Sequence, residues 1–501
     1  MPKFILVKHL FILLAGGTMN EVISSVTARR SIAIFIASDN SVGMKKAKIV
    51  ANDTIVAIAT PSGEGAIGIV RISGEKSSRI LNKIFKPGKR YASHRMYYGT
   101  VRDVSGRIVD RVMVAFMKAD RTYTGEDMIE IYTHGGSNVV HATLQSVIDA
   151  GARLAQRGEF TRRAFLNGKM DLLQAEAVVD LIRADNDAAR KQALNQMTGM
   201  LSKFVLDIKE KLMQVKASLE VLIDFSEDDV DQKQVFDLKL MLQSAHDEIM
   251  HVLKNYDQAR IIRQGIRVAL IGKPNVGKSS LFNAMLGENR AIVMPNPGTT
   301  RDYIEESVSY GGQKFVLIDT AGLRYSEEPV EKMGIEMTKS VLGKTDITAL
   351  IMDPTGDGSY EDEVSAAKEQ KGEVVVVINK MDVAHAGKVQ RMKEVFSTYR
   401  VFPVSAKTGD GVESLKQGIV SSERSLSVEN APAINRQRHK QALEHTELAI
   451  NAAMNLIDQQ AFPEILAEEV DSALLALGEL TGEVTTDDVL EKIFAEFCIG
   501  K

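Results

Sequence analysis

Hydrophobic and polar positions change their rhythm several times along the chain. From Thr54 to Gly74 short β-rich runs alternate with glycine (TIVAIATPSGEGAIGIVRISG), which predicts a strand, a turn at Pro61 to Gly65 and a second strand. Strand-like runs follow at Val109 to Met117 and Met128 to Thr133, then a helical pattern near Val139 to Ala150, so this stretch reads as an α/β domain. From about Asp171 to Arg263 apolar residues recur at three- and four-residue spacing with few glycines or prolines, as in LLQAEAVVDLI and LEVLIDF, and long helices are expected.

At Ile266 the pattern turns to hydrophobic runs (RVALIG, FVLIDT, ITALIMD, VVVVIN, FPVS) separated by helix-length segments, as in a parallel sheet wrapped by helices. After about Glu429 helical periodicity returns in HKQALEHTELAINAAMNLI and EILAEEVDSALLALGEL. Helices therefore flank a second α/β domain. The economical arrangement is a discontinuous helical domain with a nucleotide-binding domain inserted in it.

Composition narrows the class. The 501 residues suggest roughly three domains, and 44% hydrophobic with 26% charged residues fits a globular protein. A net charge of -4 excludes a globally basic nucleic-acid binder, so any RNA contact is local. One cysteine, Cys498, cannot form an intramolecular disulfide, and a reducing compartment is expected, the cytoplasm or an organelle matrix, of which the cytoplasm is preferred. No run reaches the roughly 18 apolar residues that span a bilayer, and no membrane association is expected. Residues 1–51 are low in acids and carry apolar patches at Phe4 to Leu14 and Ser31 to Ala37. They read as a misassigned start before Met44, a processed leader or a structured arm.

The ends of the hydrophobic runs carry the candidate chemistry. Gly272-Lys-Pro-Asn-Val-Gly277-Lys278-Ser279 follows the run RVALI and precedes the helical SSLFNAML, which is the context of a phosphate-binding loop. Glycines let its N–H groups face phosphates, so Asn275, Val276, Gly277, Lys278, Ser279 and Ser280 are candidate nucleotide contacts, with Lys278 at the β- and γ-phosphates and Ser279 on Mg²⁺. In the stretch Met294, Pro295, Asn296, Pro297, Gly298, Thr299, Thr300, the last threonine is the candidate to close over Mg²⁺ and the γ-phosphate. Asp319, Thr320, Ala321 and Gly322 end the run FVLI, placing a carboxylate near the metal and the Gly322 N–H near the γ-phosphate. Asn379, Lys380, Met381 and Asp382 end VVVVI; a carboxylate there accepts the N1–H and N2–H₂ donors of guanine, which adenine lacks. Ser405, Ala406 and Lys407 follow another run and can buttress the base. Four matches in order, each at the carboxyl end of a strand, point to GTP. The residue after Gly322 is Leu323 rather than a water-orienting glutamine, so another group must do that work.

These stretches, with TYTGEDMIE, RGEFTRRAFLNGKMDLLQAEAVVDLI and the ending FCIGK, resemble the tRNA-modifying GTPase family MnmE (TrmE) from about Asn52 to Lys501. The resemblance implies an α/β folate-binding and dimerisation domain over 52–168, a helical domain over 169–263 and 426–501, and an inserted P-loop, Ras-like GTPase domain over 264–425. It implies a tetrahydrofolate derivative (5-formyl- or methylene-tetrahydrofolate) held by Arg71, Glu130, Lys169 and Lys501. It implies K⁺ at Asn275, Met294, Asn296 and Thr299, although Met294 and Pro297 depart from the VTDIAGTTRD-like pattern. A cation site built from backbone carbonyls tolerates both changes. It also points to Glu331 as the water-activating residue.

The implied activity is K⁺-dependent GTP hydrolysis by a homodimer. With an MnmG/GidA-type flavoprotein that carries the FAD, in a heterotetramer, it would add a carboxymethylaminomethyl or aminomethyl group at C5 of the wobble uridine of certain tRNAs. Cys498 reads equally as a nucleophile or acid/base group near the folate and as a packed small hydrophobe. Two other functions compete: a regulatory GTPase in ribosome assembly, which has no use for a folate pocket, and a GTPase anchored to a membrane by residues 1–51.

Overall fold

The computed structural model describes residues 53–86, 91–119, 121–224, 232–287, 304–311, 313–319, 345–356, 372–422 and 431–501. In chain order the strands are β1 (Ile55–Ile58), β2 (Gly65–Ser73), β3 (Phe85–Lys86), β4 (Arg95–Arg102), β5 (Ile108–Met117), β6 (Met128–Gly135), β7 (Arg153–Leu154), β8 (Ile266–Ile271), β9 (Ile304–Tyr310), β10 (Gln313–Asp319), β11 (Ile347–Met352), β12 (Glu373–Ile378) and β13 (Arg400–Pro403). The helices are α1 (Ser77–Ile84), α2 (Ser137–Asp149), α3 (Glu159–Leu166), α4 (Leu172–Arg183), α5 (Asp187–Met197), α6 (Met200–Asp224), α7 (Gln232–Lys254), α8 (Tyr256–Gln264), α9 (Lys278–Leu286), α10 (Ala386–Val395), α11 (Val412–Ser422), α12 (Gln437–Asp458), α13 (Pro463–Thr481) and α14 (Asp487–Ala495). The chain divides into two compact units. One runs to Gln156 and takes in Leu166–Lys169 and Gly500; the other comprises Arg157–Phe165, Met170–Ile499 and Lys501.

The first unit is a seven-stranded sheet in the order β3-β4-β5-β6-β2-β1-β7. Alternation decides its faces: Val70 and Ile72 of β2 and Ile129 and Ile131 of β6 point into a core completed by Ile80, Leu81 and Ile84 of α1 and Val140 and Val147 of α2. Arg71 and Glu130, one residue out of phase with these, pair across β2 and β6 and project from the opposite face. Sequence pattern anticipates β1, β2, β5, β6 and α2 but not β4. In β4 (RMYYGTVR) only Gly99 and Val101 are buried, so its side chains lack an apolar stripe.

The helical half of the second unit is built as its periodicity predicts. Leu201, Val205, Ile208, Leu212, Val215 and Leu219 line one stripe of α6 and join Leu238, Leu242, Ala245 and Ile249 of α7 and buried residues of α12 and α13 in one core. Helix α4 starts where Asp171 and Gln174 form a capping box, each side chain accepting from the other's backbone N–H, at 2.9 and 3.0 Å. The nucleotide-binding half is a six-stranded sheet in the order β13-β12-β11-β8-β10-β9. It is parallel except for β9, antiparallel to β10 at the edge. Strand β9 (IEESVSY) is too polar to signal itself in the pattern, as suits an edge strand. Helical segments precede and follow this sheet in the chain, so the helical domain is discontinuous, as expected.

Candidate functional site

The carboxyl ends of β8, β11, β12 and β13 gather the candidate nucleotide residues. After β8 the chain turns through Gly272 (φ 151°), Asn275 (φ 63°) and Gly277 (φ 97°), and α9 then begins at Lys278. Positive φ at these three positions lets such a loop turn backbone N–H groups toward a ligand at the helix N-terminus. A side chain at Gly272 is excluded, because a β-carbon would stand 2.3 Å from the Ile351 carbonyl oxygen. Lys278 folds back over the loop, its Nζ donating to the carbonyls of Gly272 and Lys273 at 2.9 Å each. Ser279 and Ser280 are exposed on the first turn of α9, and Val276 is buried beneath the loop.

Asn379 joins this loop to the base-binding end. It is buried at the end of β12; Nδ2 donates to the Val276 carbonyl at 2.9 Å and Oδ1 accepts from the Ala406 N–H at 3.0 Å. Two neighbours keep this corner in register: Ser405 Oγ donates to Asp382 Oδ1 at 2.8 Å, and the Met381 N–H donates to the Val404 carbonyl at 3.2 Å. Asp382 and Lys407 are exposed. Lys380 (φ 59°) pairs with Asp353 at 2.5 Å. Burial works against ionisation of Asp353, but the Lys380 ammonium together with the Thr355 hydroxyl and N–H outweighs it and holds the carboxyl below its ordinary range. Asp353 is a site residue that motif reading passed over; its only signal is that it closes the run ITALIMD.

The structure thus brings Asn275, Val276, Gly277, Lys278, Asn379, Met381, Asp382, Ser405 and Ala406 to one end of one sheet. Asp319 closes β10 beside Leu270 of β8. Met294, Pro295, Asn296, Pro297, Gly298, Thr299, Thr300, Thr320, Ala321, Gly322, Leu323 and Glu331 lie outside the described residues, as do 1–51.

A second cluster lies in the first unit. Arg71 Nε and Nη2 both reach Glu130 Oε1 at 2.9 Å, and Arg71 Nη1 donates to the Gly500 carbonyl at 2.9 Å. The other Glu130 oxygen accepts from the Tyr132 hydroxyl at 2.7 Å. Burial, reinforced by Glu130, pushes the Tyr132 phenol up to about 12. Gly500 (φ 99°) is seated so closely that a β-carbon would lie 2.3 Å from the Ile58 carbonyl oxygen. Lys169 runs along the Thr122–Glu126 loop, its Cε 3.0 Å from where a Gly125 β-carbon would stand. That loop is tied to β2 by Ser73, whose hydroxyl meets Thr124 Oγ1 and Glu126 Oε2 at 2.7 Å each. Arg71, Glu130 and Gly500 are therefore in direct contact. Lys501 belongs to the second unit, where its N–H donates to the Cys498 carbonyl at 3.4 Å. Cys498 is exposed, which removes the packed-hydrophobe reading of its side chain.

The helical half also contains a buried ionic network that periodicity does not reveal. Glu176 accepts from His439 Nε2 at 2.6 Å and from Arg438 at 3.0 Å. Burial opposes its charge, but His439 and the Arg438 and Arg436 guanidinia outweigh burial and hold it far below the usual carboxylate range. Burial pushes the His439 imidazole below its ordinary range, and its Nδ1 has no hydrogen-bond partner among the described residues.

Two family models match the chain. Residues 54–169 match the family model "GTP-binding protein TrmE N-terminus", and residues 172–498 match the "MnmE helical domain". The tRNA modification GTPase MnmE of Geobacter sulfurreducens is 42% identical over 455 residues, covering 90% of this chain and 99% of that protein. Proteins of the same description from Syntrophus aciditrophicus and Geobacillus thermodenitrificans are 41% and 40% identical, with the same shares covered. Among solved structures, the G domain of the T. maritima FeoB iron transporter is 30% identical, covers 31% of this chain and 97% of that chain, and has a TM-score of 0.26.

Proposed function

The chain belongs to the MnmE family of tRNA modification GTPases, and from that premise we propose how its residues divide the work. It is a GTP hydrolase acting in tRNA modification. The observation that carries the assignment of its nucleotide site is the double hydrogen bond of Asn379, which locks the phosphate loop at Val276 to the base loop at Ala406. That tie fixes the distance between a triphosphate and a guanine bound at the two ends.

In this reading Lys278 exchanges the carbonyls of Gly272 and Lys273 for β- and γ-phosphate oxygens, and Asp382, held by Ser405, accepts the guanine N–H donors. Ser279, exposed on the first turn of α9, and Thr300 would hold Mg²⁺, which would supply positive charge at the transferred phosphoryl group. Asn275, Met294, Asn296 and Thr299 would hold K⁺, which would supply further positive charge there. Asn275, exposed and in a left-handed backbone conformation, suits that role. Glu331 orients the attacking water in place of the glutamine that Leu323 replaces. Glu331→Gln is expected to lower kcat by about 100-fold, the lower range for a positioned base, with little change in KM.

Arg71, Glu130, Lys169 and Lys501 hold a tetrahydrofolate derivative, which supplies a one-carbon unit. The donor set fits such a ligand: Glu130 Oε2, which accepts from Tyr132, has a second lone-pair direction for a pterin N–H, and the lysines suit a glutamate tail. Two copies of the chain, with an MnmG/GidA-type flavoprotein, modify C5 of the wobble uridine in the cytoplasm.

Two measurements test this. Hydrolysis is expected to be fast in K⁺ and slow in Na⁺; equal rates would remove the cation from the mechanism. Wobble uridines of a deletion strain are expected to lose the C5 substituent, and unchanged nucleosides would reject the modification reading.

A further inference from the structure

Two segments join the helical half of the second unit to its nucleotide-binding sheet. Helix α8 runs into β8, and residues 431–436 lead into α12. The two are bonded to each other: Arg263 Nε, three residues before β8, donates to the Asn435 carbonyl at 3.1 Å. Both are also tied to one carboxylate. Asp180 Oδ1, on α4, accepts from Arg436 Nη2 at 2.8 Å and pairs with Arg263 Nη1 at 3.4 Å, while Asn435 Nδ2 lies 3.5 Å from Oδ2. The Asp180 side chain is 5% exposed, so these bonds form with little competition from water.

The same guanidinium continues toward the chain's last residues. Arg436 Nη1 donates to Glu496 Oε2 at 3.1 Å, and the Glu496 carbonyl accepts from Arg183 Nη2 at 2.6 Å. The residues that follow are held by their backbones. Arg157 Nε donates to the Phe497 carbonyl at 3.0 Å, the Gly158 N–H to that of Cys498 at 3.4 Å, and Arg157 forms an antiparallel bridge with Ile499. A continuous path of charge-assisted bonds thus runs from both linkers to the segment that presents Cys498.

The alternative is that these groups only glue helices together, and two observations speak against it. Arg436 Nε and Asn435 Oδ1 are buried without a hydrogen-bond partner among the described residues, which costs each its hydration. A purely structural network gains nothing from leaving them so. Beside the linkers lies a cleft of about 100 Å³, lined by Asn195, Gln258, Ile262, Ala431 and Ala433, which gives them room to shift.

We propose that Asp180, Arg263, Arg436 and Glu496 are positioning residues that couple both linkers of the nucleotide-binding domain to the segment carrying Cys498, so that the setting of this thiol follows the bound nucleotide. The inference rests on the reading that the chain binds GTP and names the residues through which that binding is felt elsewhere.

Cys498 is the chain's single cysteine and is exposed, so a thiol reagent reports on one position of the full-length protein. The measurement is the rate of its modification by an aromatic disulfide with GDP and with a non-hydrolysable GTP analogue bound. The wild-type rates are expected to differ about fivefold or more, the lower range of coupling between sites. Glu496→Ala and Asp180→Asn are expected to bring the ratio close to one while GTP turnover persists. The Glu496 side chain is 46% exposed, so its removal keeps the test open even where Asp180→Asn impairs folding. Equal wild-type rates, or an undiminished ratio in folded Glu496→Ala, overturn the proposal. Binding of fluorescent GDP to the same samples separates the two failures: no binding removes the GTPase reading and the coupling with it, whereas binding with equal thiol rates overturns the coupling alone.

Discussion

Gly277 and Asn379 stand so close that a β-carbon on the glycine would lie 2.3 Å from Asn379 Nδ2. With φ at 97° the glycine is also in a backbone region that side chains resist. The absence of a side chain at one position is therefore what allows the buried amide at the other to reach both Val276 and Ala406. Asn379→Ala removes both bonds and leaves the Val276 carbonyl without its buried donor. At about 1–3 kcal/mol for an orphaned group, and about 1.4 kcal/mol per tenfold in affinity, a 10- to 100-fold rise in Kd for fluorescent GDP is expected. Gly277→Ala displaces the same amide and is expected to be at least as damaging. An Asn379→Ala protein with native affinity would refute this role.

Asp382 is exposed and oriented by Ser405 at 2.8 Å, which leaves its second oxygen for a base. Asp382→Asn replaces one acceptor with an N–H₂ donor. Affinity for GTP is expected to fall, and xanthosine triphosphate, which carries an acceptor where guanine carries its amino group, is expected to gain. Competition binding of the two nucleotides checks the inversion; a variant that still prefers GTP by the wild-type margin would sink the assignment.

What the sequence reveals and what it hides follow from distance along the chain. The phosphate loop is legible because its glycines, lysine and serine lie within one turn and one helix start, where local geometry sets the spacing. Strands β8, β10, β11 and β12 are legible because their centres are buried on both faces and read as solid apolar runs, and β13, only partly buried, because Val401 and Phe402 run on into the apolar-polar switch at Val404-Ser405. Strands β4 and β9 are not, since charged residues such as Arg95, Arg102, Glu305 and Glu306 blur their alternation. The partners of Asp180 are hidden for another reason: Arg436 is 256 positions away, and no periodicity spans the inserted domain. Asp353 falls between these cases, visible at a strand end but unassignable until Lys380 is seen against it.

Acid is expected to weaken the helical half in two stages. Burial depresses His439 below its ordinary 6.5, so the unfolded chain takes up a proton there that the folded chain refuses, and stability falls as pH drops below 6.5. Glu176, depressed below its ordinary 4.5, adds a second loss as pH falls through and below that value. Urea unfolding followed by circular dichroism between pH 7 and 4 measures both. His439→Gln is expected to lower stability at pH 7 and to flatten the stage between pH 6.5 and 5; an unchanged slope there would assign the acid sensitivity elsewhere.

Tyr132 offers a spectroscopic handle on the Arg71–Glu130 cluster, because the chain has 11 tyrosines and no tryptophan. With the phenol pushed up to about 12, its contribution to stability is fully present below its ordinary 10.0 and is lost as pH rises through about 12. Burial also raises Tyr256, and the Glu413 carboxylate raises Tyr310. An alkaline absorbance titration is therefore expected to show a late-ionising group of tyrosines that includes Tyr132, which the difference between wild type and Glu130→Gln isolates. Glu130→Gln should bring Tyr132 part of the way back, since burial, the larger cause, remains. A titration indistinguishable from wild type would mean that Glu130 does not hold this hydroxyl.

The helical core has a consequence for how the chain is born. Its buried residues come from Leu173 to Tyr256 and again from Ile434 to Leu480, with the nucleotide-binding sheet between them. At roughly 5–20 residues per second of synthesis, α6 and α7 emerge on the order of ten seconds or more before α12 and α13 exist to cover their apolar stripes. During that interval the nucleotide-binding domain can fold by itself at the ribosome while the first half of the helical domain waits with its apolar faces open. Chaperones that hold apolar helices are therefore expected to meet this protein during translation, through α6 and α7.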